Sequence, residues 1–179
     1  MVDPPRILIV DDNEHNRAIL AARLGANGYA TAEACDGVEA LEMVRSEAPD
    51  LILLDVSMPR MDGLEACRRL RSDPKVGFVP VILVTARSDS KDVVAGLEAG
   101  ADEYLAKPID QQALVARVRS MLRTKDLHDR IKQQAVELTE LNTRWSGESP
   151  SRLSRSSALA ASRDFFRRKS PISSWRRRL

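Results

Sequence analysis

The sequence predicts an α/β fold: a doubly wound sheet of five parallel strands covered by helices, with an extended helix at its C-terminal end. Three observations carry that expectation. Short apolar runs alternate five times with amphipathic helical patterns. Three of those runs are apolar throughout, as strands buried on both faces must be. The core must also be aliphatic, because 43% of the 179 residues are hydrophobic and only 4% aromatic.

The first run is RILIV, residues 6–10, and a helical pattern follows from Asn13 to about Ala26. The Asn27-Gly28 turn leads to ATAEA, residues 30–34, whose mixed character places it near a sheet edge. Val38, Leu41, Val44 and Ala48 mark a helix over Gly37–Glu47, stopped by Pro49-Asp50. The third strand is LILLD, residues 51–55, followed by a helix over Leu64–Ser72. Asp73-Pro74 and Gly77 separate that helix from VILVT, residues 81–85. A helix over Ser90–Ala99 carries Val93, Val94 and Leu97, and Gly100 precedes the last run, EYLA, residues 103–106. Each strand-helix-strand step is a right-handed parallel crossover.

In the fifth helix, Leu114, Val118, Met121 and Leu122 suit packing on the sheet. The pattern then continues through Leu127, Ile131, Gln134, Leu138 and Leu141, spaced four, three, four and three, which is a heptad seam weakened by Gln134. Residues 125–142 therefore read as a helical linker that pairs with a second copy; a helix folding back on its own domain is the alternative. Residues 143–179 are different material, with ten Ser and nine Arg. They carry a net +8, against −6 for residues 1–142, within a total of +2. Such composition is that of a disordered basic arm. The chain thus divides into a domain over 1–124, a linker over 125–142 and a tail over 143–179.

No run approaches the roughly 18 apolar residues of a membrane helix, and MVDPPRILIV lacks the apolar core of a secretory signal. A cytoplasmic protein is expected. Cys35 and Cys67 are too few for a disulfide framework or a zinc site, and Cys67 shares helical spacing with Leu64 and Leu70, as a core residue would. Neither His15 nor His128 has a metal-ligand neighbour at a useful spacing, so both read as surface residues.

In an open parallel sheet the functional crevice lies beyond the carboxyl ends of the strands. Asp11 and Asp12 follow the first strand, Asp55 ends the third, Thr85 ends the fourth, and Lys107 lies just past the fifth. Three crowded acids raise one another's pKa unless a cation sits among them. A hard divalent ion with oxygen ligands, Mg2+ above all, answers that need. Lys107 and the ion could then neutralise phosphoryl oxygens while Thr85 donates to one of them, and a carboxylate could attack to form an aspartyl phosphate. Taken singly, each residue has a plainer role. Asp12 or Asn13 could cap the first helix, Asp55 could cap a turn, Lys107 could be solvated, and Thr85 is an ordinary strand residue. Their convergence on one sheet edge favours a site.

The segments ILIVDDNEHN, LILLDVSMPRMDG, VILVTA and GADEYLAKPI resemble, in order and spacing, the signature segments of response-regulator receiver domains of two-component signalling. The resemblance covers about Pro5 to Thr124. It implies the flavodoxin-like strand order 2-1-3-4-5, and phosphorylation of Asp55 by a histidine kinase or phosphotransfer protein. It further implies that Asp12, Asp55 and the backbone carbonyl of Ser57 bind Mg2+ directly, with Asp11 acting mainly through a water. Lys107 would pair with the phosphoryl oxygens, its peptide bond to Pro108 being cis. Phosphorylation adds nearly two negative charges. Thr85 would move toward the phosphate and Tyr104 would turn inward, a switch pair reporting to the face of the fourth helix, fifth strand and fifth helix. Tyr104 as a plain core aromatic is the alternative. Ser57 and Arg87, two positions after Asp55 and Thr85, would tune how long the phosphate survives.

A homodimer would form through that face or through the linker residues Leu127, Ile131, Leu138 and Leu141. Self-phosphorylation from phosphodonors and autodephosphorylation are the only enzymatic steps expected. RVRSMLRTKDLHDRIKQQAVELTELN resembles the linker of multidomain regulators whose output is a nucleotide cyclase, yet residues 143–179 are too few for such a domain. Two other function classes compete. An aspartate-nucleophile phosphohydrolase would end its first strand in Asp-x-Asp, whereas VDDNE has adjacent acids. A DNA-binding transcriptional regulator could use the basic tail for phosphate contacts, but no helix-turn-helix pattern follows residue 124. The tail itself reads either as an arm attracted to acidic partners or as a frame-changed continuation of the helix.

Overall fold

Strands and helices alternate along the chain: β1 (Arg6–Val10), α1 (Glu14–Gly25), β2 (Ala30–Ala34), α2 (Gly37–Glu47), β3 (Leu51–Asp55), α3 (Gly63–Ser72), β4 (Val81–Thr85), α4 (Ser90–Glu98), β5 (Glu103–Ala106) and α5 (Gln111–Gly147). The computed structural model describes residues 3–86 and 90–147. The expectations for Arg87, and for the tail from residue 148 onward, lie outside the described residues. The strands coincide residue for residue with the apolar runs.

The five strands form one parallel sheet in the order β2-β1-β3-β4-β5. This is the doubly wound, flavodoxin-like fold that the sequence predicts. Period-two alternation splits the central strands between two cores. Leu8, Val10, Ile52, Leu54, Val81 and Leu83 pack with Ala40 and Val44 of α2 and Ala66, Cys67 and Leu70 of α3. Ile7, Ile9, Leu51, Leu53, Ile82 and Val84 face the other way, onto Leu20 and Leu24 of α1 and Leu114 and Val118 of α5. Both faces are covered, so both sets had to be apolar. Burying each such side chain is worth about 2 kcal/mol. The strands are thereby held firmly enough to carry polar groups at their carboxyl ends.

Local signals set the helix starts. Asn13 caps α1, accepting from the backbone N–H of His15 at 2.9 Å and of Asn16 at 3.3 Å. Asp36 caps α2 and Asp62 caps α3 in the same way. Capping at the first helix therefore falls to Asn13, and Asp12 is left for other work.

α5 runs past Asn142 to Gly147, five residues beyond the linker boundary expected from composition. Thr143, Arg144, Trp145 and Ser146 contain no helix breaker, and Gly147 is a residue at which helices commonly stop. Trp145 lies four residues after Leu141 and so continues the four-three spacing of the seam.

The chain divides after Ile131 into two units, the sheet and its covering helices belonging to the first. Within that unit α5 is tied to the loop before β4: the rings of His128 and Phe78 lie 4.5 Å apart, tilted by 32°. The guanidinium of Arg71 lies 5.8 Å from the Phe78 ring centre, and its hydrogen bonds reach Gly100 O, Val79 O and Asp102. Among the described residues, no helix is long and apolar enough to cross a membrane.

Candidate functional site

The parallel register brings β1, β3, β4 and β5 to a common carboxyl edge, and the polar residues predicted for it gather there. Oxygens of Asp11, Asp12 and Asp55 all lie within 4.8 Å of one another. Lys107 enters from the loop after β5. Its Nζ is 2.8 Å from Asp11 Oδ2 and 2.8 Å from Asp55 Oδ1. Its backbone N–H donates to Thr85 O at 2.8 Å, so the lysine is anchored to the end of β4. The Lys107–Pro108 peptide is cis. Thr85 is buried at the strand end, in register with Ala106.

Burial differs sharply within the acid group. Asp11 and Asp55 are 2% and 5% exposed, whereas Asp12 is open to solvent. Burial pushes the Asp55 carboxyl above its ordinary range, against the opposing pull of Lys107. Burial also works against the Lys107 ammonium, but its hydrogen bonds and ion pairs to Asp11 and Asp55 outweigh that and raise its pKa. Among the described residues, one cation is shared by two buried acids, with a third acid beside them. That set is short of positive charge, and a hard divalent cation bound through carboxylate oxygen and water fits its donors.

The loop after Asp55 is shaped by its own residues. Ser57 N–H donates to Asp55 Oδ2 at 3.2 Å. Gly63 N–H donates to Val56 O at 3.0 Å, and a side chain at Gly63 would strike the backbone oxygen of Asp55 at 2.1 Å. That close approach is why LILLDVSMPRMDG closes on glycine. Arg60 stands at φ 62 and pairs with the buried cap Asp36, which ties the loop to α2.

Sequence reasoning passed over Arg60, and over two residues of α1. Asn16 Nδ2 lies 3.1 Å from each oxygen of the Asp11 carboxylate. Arg17 donates through Nη1 to Asp11 O at 2.8 Å and Asp12 O at 3.4 Å, and through Nε to Glu33 at 3.0 Å. Polar residues in a helix's first turn read as solvated or capping, so only their spacing from Asp11 could have drawn notice.

Tyr104 is half-buried on β5, packed against the core shared with α2 and α3. The linker residues Leu127, Ile131, Leu138 and Leu141 are all more than half exposed on α5.

Comparison with known proteins decides the family. The model of the response regulator receiver domain matches residues 7–119. The chain belongs to the response regulator receiver family. Response regulator MprA of Mycobacterium ulcerans is 48% identical over 134 residues, 75% of this chain and 57% of that protein. Response regulator PleD of Caulobacter vibrioides is 48% identical over 129 residues, 72% of this chain and 28% of that protein. The chain thus spans little more than half the length of MprA and under a third of PleD. Among solved structures, a putative response regulator from Chloroflexus aurantiacus has a TM-score of 0.65 at 39% identity, covering 67% of this chain and 98% of that one. The signal receiver domain of a signal transduction histidine kinase from Syntrophus aciditrophicus has a TM-score of 0.63 at 40% identity, covering 67% and 91%. Receiver domains generally bind Mg2+ at an acidic cluster, and the Asp11, Asp12 and Asp55 group of this receiver suits that ion.

Proposed function

We propose that this receiver is a phosphoacceptor in which Asp55 takes a phosphoryl group from a phosphohistidine on a histidine kinase or phosphotransfer protein. The observation that carries the reading is the position of Lys107, 2.8 Å from carboxylate oxygens of both Asp55 and Asp11. It is a preplaced cation beside the carboxylate that would attack. A carboxylate oxygen of Asp55 attacks phosphorus in line; the phosphorus–nitrogen bond breaks, and the imidazole leaves with the electron pair and takes up a proton. Asp12, Asp55 and the backbone carbonyl of Ser57 would hold Mg2+, with Asp11 acting through water. When bound, the ion supplies charge neutralisation for the phosphoryl oxygens.

Lys107 then turns its ammonium to the phosphoryl group. The Thr85 hydroxyl donates to a phosphoryl oxygen, and Tyr104 moves into the space that Thr85 leaves. That pair reports the charge at Asp55 to the face made by α4, β5 and α5. Pairing of two copies follows, through that face or along the α5 seam of Leu127, Ile131, Leu138 and Leu141. A cytoplasmic location accords with this role.

Incubation of the full chain with Mg2+ and acetyl phosphate tests the reading. Labelling of the wild-type chain that is lost in Asp55→Asn is the expected result. Equal labelling of the two proteins would overturn the assignment.

A further inference from the structure

Two adjacent acids, Asp11 and Asp12, end up in opposite situations. Among the described residues, four contacts reach the Asp11 carboxylate: Asn13 N–H on Oδ1 at 2.9 Å, Lys107 Nζ on Oδ2 at 2.8 Å, and Asn16 Nδ2 on both oxygens at 3.1 Å. A carboxylate offers about four acceptor positions, so Asp11 is saturated by protein donors. Asp12 is exposed to solvent. Asp55 accepts one contact on each oxygen, from Lys107 and from Ser57 N–H.

The three kinds of donor to Asp11 are not equivalent. Asn13 N–H is fixed main chain and occupies Oδ1 alone. Lys107 is shared with Asp55, and its proposed task is to turn toward a phosphoryl group, which empties its place on Oδ2. Asn16 is held on α1 and reaches both oxygens. With Lys107 turned away, it is the donor left on Oδ2 among the described residues. The main chain of both acids is already clamped by Arg17, through Asp11 O and Asp12 O. Rotation of the Asp11 carboxylate about its side-chain bonds is the freedom left, and the Asn16 amide restrains it.

We propose that Asn16 is a positioning residue that withholds Asp11 from direct metal coordination, so that the ion is held by Asp12 and Asp55, next to the carboxylate that reacts. The inference rests on the phosphoacceptor reading above. Without the amide, Asp11 competes for the ion and draws it away from Asp55. The ion then binds more tightly and works less well. Mutating an outer-sphere partner of a metal ligand ordinarily costs about tenfold or more in affinity; here the same scale carries the opposite sign, because Asn16 holds its carboxylate off the ion.

Calorimetric titration of MgCl2 into the full-length wild type, Asn16→Ala, Asp11→Asn and the double variant tests this. Asn16→Ala should bind Mg2+ roughly tenfold more tightly, and label more slowly from acetyl phosphate at saturating Mg2+. The gain in affinity should vanish when Asn16→Ala is made in the Asp11→Asn background, because the amide acts through Asp11. Alanine is favoured inside a helix, and a merely destabilised fold would weaken both binding and labelling. Unchanged or weaker Mg2+ affinity in Asn16→Ala, or a gain that survives in the Asp11→Asn background, overturns the proposal. A wild type that binds no Mg2+ or is not labelled at Asp55 overturns the phosphoacceptor reading, and this inference with it.

Discussion

Lys107 Nζ lies 2.8 Å from Asp55 Oδ1, joining the end of β3 to the loop after β5. The same ammonium serves Asp11, so its removal strands two buried carboxylates. Stripping one partner from a buried pair costs about 3–5 kcal/mol. Lys107 keeps a quarter of its side chain exposed, and about 2 kcal/mol is expected for Lys107→Met in metal-free buffer. A divalent cation at the acid group supplies the missing charge. Mg2+ should therefore raise the stability of Lys107→Met more than that of the wild type. Urea unfolding with chelator and with MgCl2 reads both values. Equal increments in the two proteins would mean that lysine and metal do not answer the same charge.

Asp55 adds a pH dependence of definite sign. Burial raises its pKa above the ordinary 3.8. The folded protein thus binds that proton more tightly than the unfolded chain, and stability falls as pH rises from near 3.8 through the raised folded value. Asp55→Asn has no such titration. Without metal the variant should be more stable than the wild type at neutral pH, and its advantage should shrink as pH drops through that window. Urea midpoints at a series of pH values give the curve. A difference that stays constant with pH would contradict the burial assignment.

Gly63 and Gly77 form a matched pair for testing how the loop after Asp55 is built. A Cβ at Gly63 would stand 2.1 Å from Asp55 O, a backbone atom with no room to yield, whereas a Cβ at Gly77 meets nothing within 4 Å. Gly63→Ala should cost about 2–3 kcal/mol and slow labelling of Asp55. Gly77→Ala should stay within about 0.5 kcal/mol of the wild type. Thermal melts of both variants, followed by acetyl phosphate labelling, make the comparison. A harmless Gly63→Ala would show that the loop tolerates displacement.

Much of this molecule was legible because its strands obey one constraint. RILIV, LILLD and VILVT feed two cores at once, so no polar residue interrupts them until the chain leaves the sheet, and Asp11, Asp55 and the start of each loop fall where the apolar run ends. Thr85, the last residue of VILVT, was legible for the same reason, whereas Lys107 follows the mixed run EYLA and was legible from its place just past the fifth strand. What the sequence hid depends on distance in space. The reach of Asn16 onto Asp11 needs the first turn of α1 to fold back over the end of β1, and the pairing of Arg60 with Asp36 joins loops 24 positions apart. The end of α5 was misplaced for another reason. Composition changes at Thr143, but nothing between Asn142 and Gly147 breaks a helix, so the local backbone ignored the change.

The seam on α5 yields the last expectation. Leu127, Ile131, Leu138 and Leu141 are 53%, 66%, 67% and 53% exposed, and Trp145, in step with them, is 79% exposed. Apolar residues spaced four and three along one exposed face suit a second helix of the same kind. In the pairing proposed above, Leu138→Glu with Leu141→Glu places like charges against each other across the seam. Full-length wild type should run as a dimer in light scattering at concentrations where the double variant is a monomer. Because neither side chain is buried in its own chain, the melting temperature of the receiver domain should not move at low protein concentration. If the double variant keeps the mass of the wild type, the seam does not join two copies, and the face of α4, β5 and α5 becomes the place to look.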